Sequence, residues 1–118
     1  MSSKTQWILG FTAAVLMVTM ALASAPRLSA NPQQTATAEV KIDNFSFGPA
    51  TLTVAPGTTV TWVNHDDIPH NVVSTDGAFQ KSKALDTNDK FSHRFDQPGT
   101  YSYFCGIHPQ MTGKVVVK

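Results

Sequence analysis

The amino-acid sequence predicts an all-β fold, an antiparallel β-sandwich that follows an N-terminal signal segment. From residue 38 onwards, apolar and polar residues alternate with a period of two, as in strands that bury one face. Turn-forming residues separate these runs at short intervals, and a chain of 118 residues is long enough for one ordinary domain. Several short strands with regular breaks are typical of a sandwich or a barrel.

The first segment, residues 1–30, has the pattern of a secretory signal peptide. Lys4 precedes an apolar run from Trp7 to Ala23, and small residues follow this run. We expect cleavage near Ala30, which would leave no stable membrane insertion. An uncleaved anchor is the alternative, because a run of this length spans roughly 25 Å as a helix, just short of a bilayer core. The protein is therefore predicted to be periplasmic or otherwise exported.

Residues 31–37 form a polar linker, and the domain is predicted to occupy residues 38–118. Alternation marks the strands around Val40 and Ile42, Leu52 and Val54, Val60 and Trp62, and Phe91, His93 and Phe95. The turns between them contain Gly48-Pro49, Pro56-Gly57, Asp76-Gly77 and Pro98-Gly99. The aromatic residues Phe45, Phe47 and Trp62 are expected in the core, and one of the three could border a metal site.

The interval 74–89 has no clear period and contains only Phe79 and Leu85 as apolar anchors. A short helical turn and a wandering edge strand are both compatible with it. Because the interval is longer than most connections in compact domains, it either carries function or is mobile.

The charge balance argues against a nucleic-acid partner. Nine Lys and Arg residues face eight Asp and Glu residues, which gives a formal net charge of +1. An electrostatic nucleic-acid binder would carry a clear basic excess. The single cysteine, Cys105, excludes an internal disulfide, so an exported chain with one odd thiol needs another use for it.

The segment Cys105-Gly106-Ile107-His108-Pro109-Gln110-Met111 concentrates the chemistry of the chain. A thiol, an imidazole and a thioether follow each other at steps of three residues, on a loop predicted between two strands. A second imidazole, His70, lies upstream and can approach this loop in a sandwich. Two imidazoles, one thiolate and a weak thioether are the ligand set that suits copper in both oxidation states. His65 is instead expected at the surface, and His93 to be structural.

Three motifs resemble those of the cupredoxins, the small type 1 blue copper proteins, and most closely the amicyanin and plastocyanin types. They are Pro69-His70-Asn71-Val72, Gly99-Thr100-Tyr101-Ser102-Tyr103-Phe104-Cys105 and Met111-Thr112-Gly113-Lys114-Val115-Val116-Val117. The resemblance implies a Greek-key sandwich and one copper ion with four ligands: His70, Cys105 and His108 in the equatorial plane and Met111 in the axial position. It also implies that Asn71 supports the site, with its N–H near the Cys105 sulfur and its side chain joining the two loops.

By the same resemblance, the protein is an electron carrier and not an enzyme. A monomer would take single electrons from a redox protein such as a dehydrogenase and pass them to one such as a cytochrome. The exposed edge of His108 would transfer the electrons within an apolar patch formed by Ile68, Pro69, Ile107 and Pro109. Phe104 stands where plastocyanin has a tyrosine, so a second, remote electron route is not expected.

Other functions stay open from the residues alone. The main alternative is a copper chaperone or buffer, although such proteins usually offer several Met or His ligands. An enzyme with a Cys-His pair lacks an apparent third member to orient the pair. A metal-free adhesion domain fits the strand pattern but leaves the Cys-His-Met spacing to chance.

Overall fold

A computed structural model describes residues 36–118, and the predicted leader (1–30) and most of the linker lie outside this range. The described residues form eight strands: β1 Thr37–Asp43, β2 Ser46–Gly48, β3 Thr51–Val54, β4 Thr58–Asn64, β5 Val73–Ser74, β6 Lys90–Phe95, β7 Gly99–Phe104 and β8 Thr112–Val117. Within residues 36–118 there is no helix that is long and apolar enough to cross a membrane.

The strands form two four-stranded sheets, with the orders β2-β1-β4-β6 and β3-β8-β7-β5. Each connection from β2 to β7 crosses from one sheet to the other, as in a Greek-key sandwich. The predicted fold class is thus confirmed, but the sheets are mixed: β1 pairs with β4, and β3 with β8, in parallel. The alternation of residues predicts strands but not the direction in which neighbouring strands pair, so the two parallel pairs could not be predicted from it.

The core lies between the sheets and is centred on Trp62 in β4. Its ring packs against Phe79, Phe91, Phe95 and Tyr103, with centroid distances of 5.3–6.3 Å. Trp62 and Phe47 are buried as predicted, with 0% and 4% of their surface exposed. The core prediction was wrong for Phe45, which is 53% exposed. Phe45 lies in the two-residue loop between β1 and β2, beyond the last residue of β1 that faces the core.

The interval 74–89 is neither a helix nor a continuous edge strand. Two anchors predicted there are buried, Phe79 with 6% and Leu85 with 0% exposure. Leu85 forms an isolated antiparallel bridge with His70, in which each backbone N–H donates to the carbonyl of the other residue, at 3.2 and 2.7 Å. The interval therefore fixes the backbone of a predicted metal ligand.

Candidate metal centre

Two loops leave the same end of the second sheet and carry the predicted ligands. His70 lies in the connection from β4 to β5, and Cys105 follows directly after β7. β5 and β7 are antiparallel neighbours, and Val73 lies opposite Phe104. The chain that leads into β5 therefore lies beside the chain that leaves β7. This pairing brings together two side chains that are 35 positions apart in the sequence.

The two histidines each direct a ring nitrogen to the cysteine sulfur. The Cys105 Sγ lies 3.7 Å from His70 Nδ1 and 3.8 Å from His108 Nδ1. All three ligand atoms lie within 4.8 Å of one another. An ion at the centre of such a triangle, with imidazole and thiolate bonds of about 2.0–2.3 Å, needs ligand atoms separated by about 3.6 Å. The two sulfur–nitrogen distances therefore fit one metal ion held between the three side chains.

Burial differs between the three residues. Cys105 and His70 are both 0% exposed, whereas His108 is half-buried and reaches the surface. A buried thiolate with two imidazoles is the donor set of type 1 copper sites. Among residues 36–118, this is the one group of histidine, cysteine and carboxylate side chains with metal-ligand spacing.

Met111 shares the loop with Cys105 and His108. Its backbone N–H donates to the His108 carbonyl at 2.9 Å, and its carbonyl accepts from the Cys105 N–H at 3.0 Å. These two bonds close the loop into a compact turn. The Met111 side chain is 6% exposed and belongs to the same buried cluster as Cys105, which is where an axial ligand of this loop would have to lie.

Asn71 supports the cysteine, as the sequence predicts. Its backbone N–H donates to the Cys105 Sγ at 3.5 Å, and its side-chain Oδ1 accepts from the Gly106 N–H. Gly106 allows this approach, because a Cβ there would lie 3.1 Å from the Asn71 side chain. Asn71 thus joins the two ligand loops directly.

Sequence reasoning missed the partner of the second nitrogen of His70. The Nε2 atom of this buried ring lies 2.7 Å from Oδ2 of Asp66. Asp66 also accepts the backbone N–H groups of Asn44 and Phe45, at 2.7 and 2.9 Å. The N–H of Phe45 and, to a smaller extent, the bonds from His70 and Asn44 hold the pKa of Asp66 below its usual value of 3.8, although partial burial opposes them. The four-residue spacing of Asp66 and His70 was the available signal, since ligating histidines commonly donate their other N–H to a carboxylate.

Phe45 is the core candidate that borders the site. Its ring meets His70 and His108 edge-on, with centroid distances of 5.6 and 5.2 Å. Residues expected in the apolar patch lie in the ligand loops: Ile107 is 48% exposed, Pro69 and Pro109 are exposed, and Ile68 is half-buried.

The other two histidines lie outside the metal group. His65 is exposed, as predicted, and its backbone N–H donates to the Ile42 carbonyl at 2.8 Å. His93 is half-buried and stacks on Phe79 with a centroid distance of 5.0 Å, in agreement with a structural role. Burial lowers the pKa of His93 from its usual value of 6.5, and the charge of Asp96 opposes this change.

Comparison with known proteins identifies the family. The family model of the cupredoxin-like domain matches residues 11–117. Amicyanin-alpha of Methylorubrum extorquens is 35% identical over 116 residues, which cover 93% of this chain and 98% of that protein. The amicyanin of Paracoccus denitrificans is 39% identical over 83 residues, covering 67% of this chain and 63% of that protein.

Solved structures agree with these matches. A purple cupredoxin from Nitrosopumilus maritimus superposes with a TM-score of 0.64 at 36% identity, covering 69% of this chain and 99% of that one. The Cu(I) form of an amicyanin variant superposes with a TM-score of 0.66 at 36% identity, covering 71% of this chain and 83% of that one. Together with the ligand geometry, these matches show that the chain belongs to the cupredoxin-like family, whose amicyanin and plastocyanin types are copper electron carriers and not enzymes.

Proposed function

We propose that the protein is a type 1 copper carrier of single electrons between redox proteins in an exported compartment. In this proposal His70, Cys105 and His108 are the equatorial ligands and Met111 is the axial ligand. The observation that carries the proposal is the convergence of one buried sulfur and two imidazole nitrogens within 4.8 Å. Bound copper supplies the one-electron change between Cu(I) and Cu(II).

Contacts within the protein hold these ligands in place. His70 is fixed by the backbone bridge to Leu85 and by the Asp66 carboxylate, and Cys105 by the Asn71 N–H. Because these contacts tie both ligands to neighbouring segments of the chain, the ligands have little freedom to rearrange when the charge at the site changes. Small rearrangement favours fast electron exchange. The groups that surround the ligands tune the reduction potential of the bound ion.

The half-exposed His108 offers the shortest path between the site and a partner. Exposed apolar residues, Phe45 and Ile107, lie close to it in space or sequence. A partner that covers this surface would approach the His108 ring without displacing tightly held water from charged groups. We infer that electron donors such as a dehydrogenase and acceptors such as a cytochrome bind here, to a monomer.

Export is supported by the signal-like pattern of residues 1–30, followed by the polar linker 31–37 and the domain 38–118. An oxidising compartment suits a chain whose single cysteine is engaged as a ligand.

The burial of the ligands favours electron transfer over copper storage. Sites that exchange copper readily need exposed ligands, but Cys105 and His70 are both 0% exposed. The purified protein should bind one copper ion per chain and show a single reversible one-electron wave by voltammetry. Rapid loss of copper to a mild chelator, without a reversible wave, would instead identify a copper buffer.

A further inference from the structure

The loop between β1 and β2 has an unusual composition for its conformation. It consists of two residues, Asn44 and Phe45, with φ angles of 48° and 57°. Positive φ at both central residues is the pattern of the type I′ hairpin turn, in which Asn-Gly is strongly preferred. A bulky side chain in this region is an outlier that persists only where its surroundings hold it.

The Asp66 carboxylate holds this loop. Its Oδ1 accepts the Asn44 N–H at 2.7 Å and its Oδ2 accepts the Phe45 N–H at 2.9 Å. The same Oδ2 atom lies 2.7 Å from His70 Nε2. One carboxylate therefore joins the hairpin loop to a buried histidine of the metal centre.

The Phe45 ring contributes little to the core, since 53% of its surface is exposed. Its contacts are instead with the two histidines. It stands almost perpendicular to both rings, at 85° to His70 and 87° to His108, while the two histidine rings lie 5.0 Å apart. His70 is already held by its own backbone bridge and carboxylate, so His108 has the most to gain from this contact.

We propose that Phe45 is a positioning residue that holds the His108 ring in its ligating orientation, with the Asp66 carboxylate as its anchor. The inference rests on the proposed function only in that His108 is taken as a ligand. Phe45 is strained at a position where glycine would be favoured. In this position its aromatic ring limits the motion of the half-exposed His108 imidazole. Order in the site is thus obtained at some loss of local stability.

Replacement of Phe45 by glycine separates this role from a role in folding. Glycine adopts positive φ without strain, so metal-free Phe45→Gly should unfold at the same or a higher urea concentration than the wild type. Its His108 ring should nevertheless move more, as measured by ¹³C relaxation in the metal-free protein. Copper binding should be roughly two- to tenfold weaker in chelator competition, because a free side chain must then be ordered on binding. Phe45→Tyr keeps the ring and should restore wild-type values of all three quantities.

Wild-type ring motion and copper affinity in Phe45→Gly would overturn the proposal. A loss of stability in Phe45→Gly with unchanged His108 motion would also overturn it, since Phe45 would then serve the fold. Failure of the proposed function has a different signature. The wild-type protein would form no blue copper complex, while the relaxation measurement, made without metal, would still decide the role of Phe45.

Discussion

The Cys105 sulfur and the Phe45 backbone each depend on a neighbour that is distant in sequence. Asn71 supports the sulfur from 34 positions away, and Asp66 joins His70 to Phe45, which is 21 positions from the carboxylate. The ligands themselves follow from the spacing of Cys105, His108 and Met111, because the chemistry of each side chain is visible in the sequence. The hold of Asp66 on the β1–β2 loop and the place of Phe45 beside His108 could not be predicted in the same way, since they arise from contacts between separate segments.

Removal of the Asp66 carboxylate should weaken the metal centre. We expect Asp66→Ala to bind copper about 10- to 100-fold less tightly, because the His70 ring loses the acceptor for its Nε2 and the hairpin loop loses its anchor. Competition with a chelator of known affinity measures this change. Asp67→Ala is the matched control, since Asp67 is adjacent and exposed. Equal losses of copper affinity in both variants would mean that binding is weakened by the loss of a negative charge near the site and not by the loss of the Asp66 contacts.

The strands were predictable as elements, and their pairing only partly so. Alternation locates β4 and β6, and the observed register places Trp62 opposite Phe91 and Val60 opposite His93. The two-residue strand β5 could not be predicted, because its place is fixed by pairing with β7 and not by any local pattern. The same pairing sets the two ligand loops side by side.

The pairing of β7 with β8 depends on a glycine. Gly113 lies opposite Tyr103, and a Cβ there would lie 2.5 Å from the Tyr103 ring. Since that ring is packed against Phe47 and Trp62, it cannot move away. We expect Gly113→Ala to lower the free energy of unfolding by about 1–3 kcal/mol in urea denaturation of the metal-free protein.

A second glycine provides the control for this substitution. A Cβ at Gly48 would have its nearest contact, the Lys41 carbonyl oxygen, at 3.9 Å. Gly48→Ala should change the free energy of unfolding by no more than about 0.5 kcal/mol. A similar loss at both positions would contradict the steric explanation.

His93 on β6 should make stability depend on pH. Burial lowers its folded-state pKa below the usual 6.5, so the unfolded chain takes up the proton more readily. Its contribution is fully present above pH 6.5 and is lost as the pH falls from there through the folded-state pKa. The free energy of unfolding, measured at about pH 7.5 and pH 5, should fall less for His93→Gln than for the wild type. An identical decrease in the free energy of unfolding of the two proteins would show that His93 does not contribute to the pH dependence.

At the scale of the whole molecule, the sandwich places the metal centre at one end, where the connections before β5 and after β7 meet. The chain pattern and the motif resemblance together predict this architecture. They do not predict which side chains border the exposed imidazole, because that depends on how the β1–β2 loop packs against the ligand loops. The function proposed for the molecule combines a buried, preformed ligand set with one ring that reaches the surface.

The absorption spectrum of the Cu(II)-loaded protein tests this account most directly. We predict an intense blue thiolate-to-copper band in the wild type that disappears in Cys105→Ala, while the metal-free variant keeps its β-sheet circular dichroism. A colourless copper complex of the wild type, or a blue band that survives the loss of Cys105, would contradict the account.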